Sequence, residues 1–149
     1  MSADLRPARP GDAAAIAGLA RALAAHHGDA PAATAESVAR DAFGPEPWVH
    51  LVVAETGAGI IGYAALCRSV SLPFGQRHAE IRDLFVAPDH RGRGIGAALV
   101  ADCARIARGW SCETLTVSAH PGNVAAQAFH VAQGFARRDS RAPRFVMDL

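Results

Sequence analysis

The run Arg91-Gly92-Arg93-Gly94-Ile95-Gly96 sets two guanidinium side chains among three alternating glycines. It opens an apolar-periodic segment that reads as a helix from Ile95 through about Arg108. The first N–H groups of a helix have no carbonyl partner inside it and point past its N-terminus. Glycine lets a ligand approach the backbone without meeting a Cβ, and arginine forks suit phosphate oxygens. The chemistry this pattern suggests is anion binding, with phosphate or pyrophosphate as the first expectation. No Gly-Lys-Ser or Gly-Lys-Thr follows, which excludes the nucleoside-triphosphate loop. Gly92, Gly94 and Ala97 fit the spacing of a dinucleotide fingerprint, with Glu113 near its acidic position. That fingerprint, however, follows the first strand of a large doubly wound unit, and only about fifty residues remain here. Glu113 also falls at the start of the next strand rather than at its end, so the dinucleotide reading is rejected.

The loop has to be held by the elements on either side of it. Before it, Ala79 to Val86 alternates as a strand and ends in a Pro88-marked turn. After the helix, which turns Ile95, Leu99, Cys103 and Ile106 to the sheet, Cys112 to Val117 reads as a further strand. Such a strand-helix-strand unit is parallel and right-handed. Upstream, Leu5 to Ala8 reads as a short strand, and Pro10-Gly11-Asp12 starts a helix with Ile16, Leu19, Ala20, Leu23 and His27 on one face. Thr34 caps a second helix carrying Val38 and Phe43, which Gly44-Pro45-Glu46-Pro47 ends. Trp48 to Glu55 and Ile60 to Ser69 form a hairpin across Thr56-Gly57-Ala58-Gly59, and Leu72 to Gln76 is a loop holding Phe74. Beyond the Ser118 to Gly122 loop, a helix runs from Asn123 to about Gln133. Phe135 to Ser140 and Arg144 to Leu149 read as terminal strands.

At 149 residues, with 50% apolar side chains and a formal charge of +1, one domain spanning 1–149 with a full hydrophobic core is expected. The balanced charge gives no support to a broad nucleic-acid footprint. Cys67, Cys103 and Cys112 form neither a disulfide framework nor a close-spaced ligand pair, and read as inert buried thiols. His26-His27 lacks Cys, Asp or Glu partners at ligand spacing, so no metal is expected. There is no secretory pattern and no membrane-length apolar run, so a cytoplasmic protein without membrane contact is expected.

Arg91, Gly94 and Gly96 match Arg/Gln-x-x-Gly-x-Gly/Ala, the acetyl-coenzyme A loop of the GNAT family of N-acetyltransferases. The chain resembles that family also in Leu84-Phe85-Val86-x-Pro88 and in Asn123-x-x-Ala126-x-x-Phe129 followed by Gly134-Phe135, and the likeness covers nearly its whole length. It implies an α/β (α+β) fold: a mixed central sheet of about six or seven strands with about four helices around one core. Two parallel strands, here those ending near Val86 and Val117, splay to take the pantetheine arm, whose amides pair with backbone as an added strand would. By the resemblance, acetyl-coenzyme A contacts fall on Leu84, Phe85, Val86, Arg91, Gly92, Arg93, Gly94, Ile95, Gly96, Asn123, Ala126 and Phe129. Backbone N–H near Leu84 or Phe85 would face the thioester carbonyl. The N-terminal helical pair would shape the acceptor pocket, making His27 a candidate contact. Phe74 is either a wall of that pocket or a loop side chain packed on the core.

Acetyl transfer to an amine needs a neutral nitrogen, and lysine-like amines are protonated at pH 7 because their pKa is about 10.4. A carboxylate, directly or through water, can take that proton. Glu80 and Asp83 are the available acids. Their offset puts them on opposite faces of a regular strand, and a bulge would reverse that. The pattern is nearest the diamine acetyltransferase branch, where Asp83 matches an Asp but Arg82 stands in place of a Glu. Arg82 either favours an acceptor bearing a carboxylate or pairs with Glu80 or Glu113. His130 replaces the tyrosine many members carry after the Phe. It shares a helical face with Asn123 and Gln127, where an imidazolium of ordinary pKa near 6.5 can protonate a departing thiolate, or the ring only hydrogen-bonds near the pantetheine. Arg137, Arg138, Arg141 and Arg144 form a basic cluster, by default a solvated face, with recognition of an acidic acceptor or of the adenosine phosphate as the sharper option.

The function expected is N-acetyl transfer from acetyl-coenzyme A to a small primary amine, such as an amino acid or polyamine, by direct ternary-complex transfer. A protein lysine or N-terminal acetyltransferase stands behind it, and a non-catalytic acetyl-coenzyme A sensor is the alternative of another class. Edge pairing between the terminal strands of two subunits makes a homodimer the expected assembly.

Overall fold

Val52 and Ala54 face one side of their strand and Leu51 and Val53 the other, and all four are buried. A strand apolar on both faces needs cover on both, and this requirement organises the molecule. The computed structural model describes residues 2–139 and 142–149. In chain order it contains β1 (Asp4–Pro7), α1 (Ala13–His26), α2 (Ala35–Phe43), β2 (His50–Thr56), β3 (Gly59–Ser71), β4 (Gln76–Val86), α3 (Ile95–Gly109), β5 (Thr114–Val117) and α4 (Val124–Ala132). The sheet runs β1-β2-β3-β4-β5. Its first three pairings are antiparallel, and β4 with β5 is parallel.

α3 covers one face, packing Ile95, Leu99, Val100, Cys103 and Ala107 against Val52, Ala64, Leu66, Ala79 and Ile81. α1 covers the other, with Ile16 against Leu51, Val53, Tyr63, Ala65 and Phe85. Arg6 fixes how β1 enters this layer. Its guanidinium pairs with Asp12 at 2.7 Å before α1 and with Glu55 at 2.9 Å on β2. α2 begins on a reciprocal cap between Thr34 and Ser37. Among the described residues no helix is long and apolar enough to cross a membrane.

Three expectations are corrected. Among the described residues the sheet has five strands, not six or seven. Residues 135–139 and 142–149 form no ladder, and Phe145, Val146, Met147 and Leu149 stand exposed; Ser140 and Arg141 lie outside the described residues. Alternating apolar side chains make a strand only where a sheet edge takes up their N–H and C=O groups, and β5 at the open edge is only four residues long. Of the cysteines, Cys103 alone is fully buried, with Cys67 and Cys112 half-buried.

Of the two alternatives left open for β4, the bulge is the one present, and it bears on the site. Ala65 pairs with Asp83 but Leu66 pairs with Ile81, leaving Arg82 as the extra residue of a bulge. An extra residue resets the alternation. Ala79 and Ile81 therefore bury on the α3 side, while Phe85 buries on the α1 side. Glu80 and Asp83 consequently share the α1 side, where a regular strand would have separated them.

Candidate active site

The ladder between β4 and β5 ends at Ile81 and Val117. β4 continues to Val86, held on its other edge by Gly62 to Ala65 of β3, whereas the chain after Val117 turns into the loop before α4. Among the described residues no strand pairs with Arg82–Val86 on the open side. A cleft of about 890 Å3 lies where the two strands part.

Into this cleft the fold brings Leu84, Phe85 and Val86 from β4, and Arg91, Gly92, Gly94, Ile95 and Gly96 from the loop and first turn of α3. Asn123, Ala126, Phe129 and His130 join them from the start and face of α4, with Arg82, Asp83 and His27 completing the expected set. Glu80, Arg93 and Phe74 are not among its walls. Phe74 is 75% exposed on the turn between β3 and β4, so it neither walls the cleft nor packs on the core.

Gly92 and Gly94 have φ of 74° and 79°, a region that glycine enters without the Cβ penalty. These two residues let the loop turn sharply and present the unshared N–H groups of the α3 first turn to the cleft. Gly96 serves packing instead: a Cβ there would lie 3.2 Å from the Phe129 ring, so α3 and α4 meet closely at this point. Arg91 does more than add charge. Its Nε donates to the Val86 carbonyl at 2.8 Å and its guanidinium lies 5.2 Å from the centre of the Phe85 ring. The loop is thereby tied to the end of β4, with the remaining guanidinium N–H groups free of that bond. Asn123 caps α4, its side-chain oxygen accepting from the Ala126 N–H at 3.1 Å. Gln127 braces the preceding loop through the carbonyls of His120 and Pro121.

At the acceptor end, Arg82, the extra residue of the bulge, lines the cleft and reaches Glu80 at 3.4 Å, a long contact on an exposed side chain. Asp83 accepts a hydrogen bond from the Tyr63 hydroxyl at 3.1 Å. Burial, then the nearby Asp83 carboxylate, pushes the Tyr63 phenol well above its usual range. His27 stacks on His120 with ring centres 5.7 Å apart, which links the end of α1 to the loop before α4. His130 lies edge-on to Phe129 and Phe135, and its Nδ1 is enclosed with no hydrogen-bond partner among the described residues. Burial lowers its pKa below the ordinary imidazole value, so at neutral pH the ring is chiefly neutral and offers an N–H rather than an imidazolium proton. Among the described residues no three His, Cys, Asp or Glu side chains gather as a metal site.

Tyr63 and His120 were not picked out from the sequence. Tyr63 looks like one apolar residue among many in β3, although it is the only tyrosine in the chain. His120 lies in a loop with no periodicity to read.

A strand gap beside a glycine-turned helix N-terminus has the shape to hold an extended, phosphate-bearing thioester, with polar groups at its far end. The acetyltransferase (GNAT) family profile matches residues 17–135. Thialysine N-epsilon-acetyltransferase from Bos taurus is 30% identical over 140 residues, covering 87% of this chain and 82% of that protein. Among solved structures, a possible acetyltransferase from Clostridium difficile 630 superposes with a TM-score of 0.85 at 15% identity, over 100% of both chains. An aminoglycoside N-acetyltransferase in complex with CoA does so with a TM-score of 0.80 at 20% identity, over 99% of this chain and 95% of that one. The chain belongs to the acetyltransferase (GNAT) family and is an acetyl-coenzyme A-dependent N-acetyltransferase.

Proposed function

We propose that this enzyme acetylates the primary amine of a small molecule that also bears a carboxylate, by direct transfer within a ternary complex. The observation that carries this reading is the continuity of one cleft from the α3 N-terminus, past the unpaired end of β4, to Arg82 and Asp83. Acetyl-coenzyme A fits the first two parts by chemistry. The loop N–H groups and Arg91 would hold its pyrophosphate, and the free edge of Leu84 to Val86 would pair with its pantetheine amides. Bound there, it supplies an electrophilic thioester carbonyl and a thiolate leaving group.

Asp83, directly or through water, takes the proton that the acceptor ammonium must lose before its nitrogen can attack. Backbone N–H near Leu84 or Phe85 stabilises the oxyanion. The neutral His130 ring donates a hydrogen bond from its N–H to the departing sulfur, and the proton that the thiolate takes up is the second one lost by the attacking nitrogen. Arg82 at the cleft wall attracts the acceptor's carboxylate and disfavours polycations. The thiols of Cys67 and Cys103 are both raised by burial, the latter to about 12, which favours direct transfer over an acetyl-cysteine intermediate, since the thiolate is the nucleophile. The relative named for thialysine, an amino acid amine, agrees with this acceptor class. The free β5 edge and the exposed apolar side chains of 145–149 support the homodimer.

The test is thiol release from acetyl-coenzyme A over a panel of basic amino acids, their amides, diamines, aminoglycosides and short peptides, with products identified by mass. Turnover of amino acids above their amides and the diamines is expected, and Arg82→Ala should erase that preference. Diamine or peptide preference overturns the acceptor assignment, and tight acetyl-coenzyme A binding without any turnover favours a sensor. Sedimentation of the same preparation reads the dimer.

A further inference from the structure

Tyr63 lies on β3 opposite Phe85, one cross-strand diagonal from Asp83 on the face that α1 covers. Its ring is 1% exposed, yet its hydroxyl reaches the cleft and donates to Asp83 Oδ2 at 3.1 Å. A buried phenol needs a partner for its O–H, and the bulge at Arg82 brings one within reach. Without that extra residue, Asp83 would point to the other face.

We propose that Tyr63 is a positioning residue for acetyl transfer: its hydroxyl fixes one oxygen of the Asp83 carboxylate and leaves the other to take the proton of the acceptor amine. This rests on the reading of Asp83 as proton acceptor. The charged neighbours do not duplicate the function. Arg82, at the cleft wall, reaches Glu80 rather than Asp83, and the imidazoles across the cleft, His27 and His120, are engaged with each other. The phenol is held as a permanent donor by a site that suppresses its ionisation. A carboxylate restrained in this way has one geometry to offer the ammonium, and restraint of that kind raises kcat rather than affinity.

Steady-state kinetics of Tyr63→Phe, Asp83→Ala and the double variant test the role. Tyr63→Phe keeps the buried ring and removes only the hydroxyl. kcat is expected to fall roughly tenfold, the scale of a hydrogen bond to a charged group, with the KM for acetyl-coenzyme A unchanged. In the Asp83→Ala background the same change should cost nothing further. Undiminished kcat in Tyr63→Phe, or losses that simply add, overturn the role while leaving Asp83 as acceptor. Undiminished kcat in Asp83→Ala instead overturns the reading beneath it, so the two failures are distinguishable. With only one tyrosine in the chain, fluorotyrosine labelling gives a single fluorine NMR resonance that reports the contact without turnover. That resonance should move in Asp83→Ala, and an unmoved resonance overturns the contact.

Discussion

His130 sits 5.6 Å from Phe129 and 5.9 Å from Phe135, ring centre to ring centre, with Nδ1 enclosed and unpartnered among the described residues. For packing alone, phenylalanine would serve better, because a buried polar atom without a partner costs about 1–3 kcal/mol. His130→Phe is therefore expected to raise the thermal midpoint slightly. If the ring hydrogen-bonds the leaving sulfur, the same change should lower kcat about a hundredfold with acetyl-coenzyme A affinity retained. Calorimetry beside steady-state kinetics reads both, and a more stable enzyme of unchanged kcat would remove His130 from the mechanism. The position was legible from sequence because it follows Phe129 and shares a helical face with Asn123. Its enclosure was not, since one of the two rings against it is Phe135, which lies beyond the end of α4 and returns through the bond from its N–H to the His130 carbonyl.

The loop into α3 is the element whose sequence says most. Gly94 occupies the left-handed region at φ 79° with nothing near its missing Cβ. Gly94→Ala should consequently act through backbone strain alone, at about 1–2 kcal/mol, and should weaken acetyl-coenzyme A binding by re-aiming the first N–H groups of the helix. Isothermal titration and a denaturation midpoint check it; unchanged affinity would mean that the anion is held elsewhere. Glycines and arginines advertise such a loop because few other residues can do its work. A bulge has no such signature. Nothing in Ile81-Arg82-Asp83 marks Arg82 as the extra residue, because that follows from the register which β3 imposes on β4. Phe74 failed as a wall for a related reason. β3 and β4 run on to Ser71 and Gln76, further than their apolar patterns suggest, and carry the turn away from the cleft. The apolar C-terminal run read as a strand from its own alternation, but a ladder also needs an edge, and edges are not written locally.

Over the whole molecule, ionisable groups enclosed by the fold set the pH range of its stability. His50 and His130 are both pushed below the ordinary imidazole value, chiefly by burial, and His50 Nε2 and His130 Nδ1 have no partner among the described residues. A depressed folded pKa means that the unfolded chain takes up the proton first. Their contribution is present above the unfolded value of about 6.5 and is lost as pH falls through it toward the folded values. Tyr63 and Cys103 are raised, with burial the leading cause for both. Their contribution is full below the unfolded thiol and phenol values, about 8.5 and 10, and declines as pH rises past each. Asp12, held below the ordinary carboxylate range by its bonds from Arg6, loses its contribution only below about pH 4. The interval between about 6.5 and 5 therefore belongs to the two histidines. Urea midpoints should be level through the neutral range and fall on both sides. In the His50→Phe, His130→Phe double variant the fall between pH 7 and 5 should flatten, while the alkaline fall stays. The reverse pairing locates the other limb: Tyr63→Phe should soften the alkaline fall and leave the acid one. A wild-type midpoint that rises on acidification from pH 7 to 5 would show that these imidazoles gain rather than lose proton affinity on folding, and would refute their placement in enclosed sites.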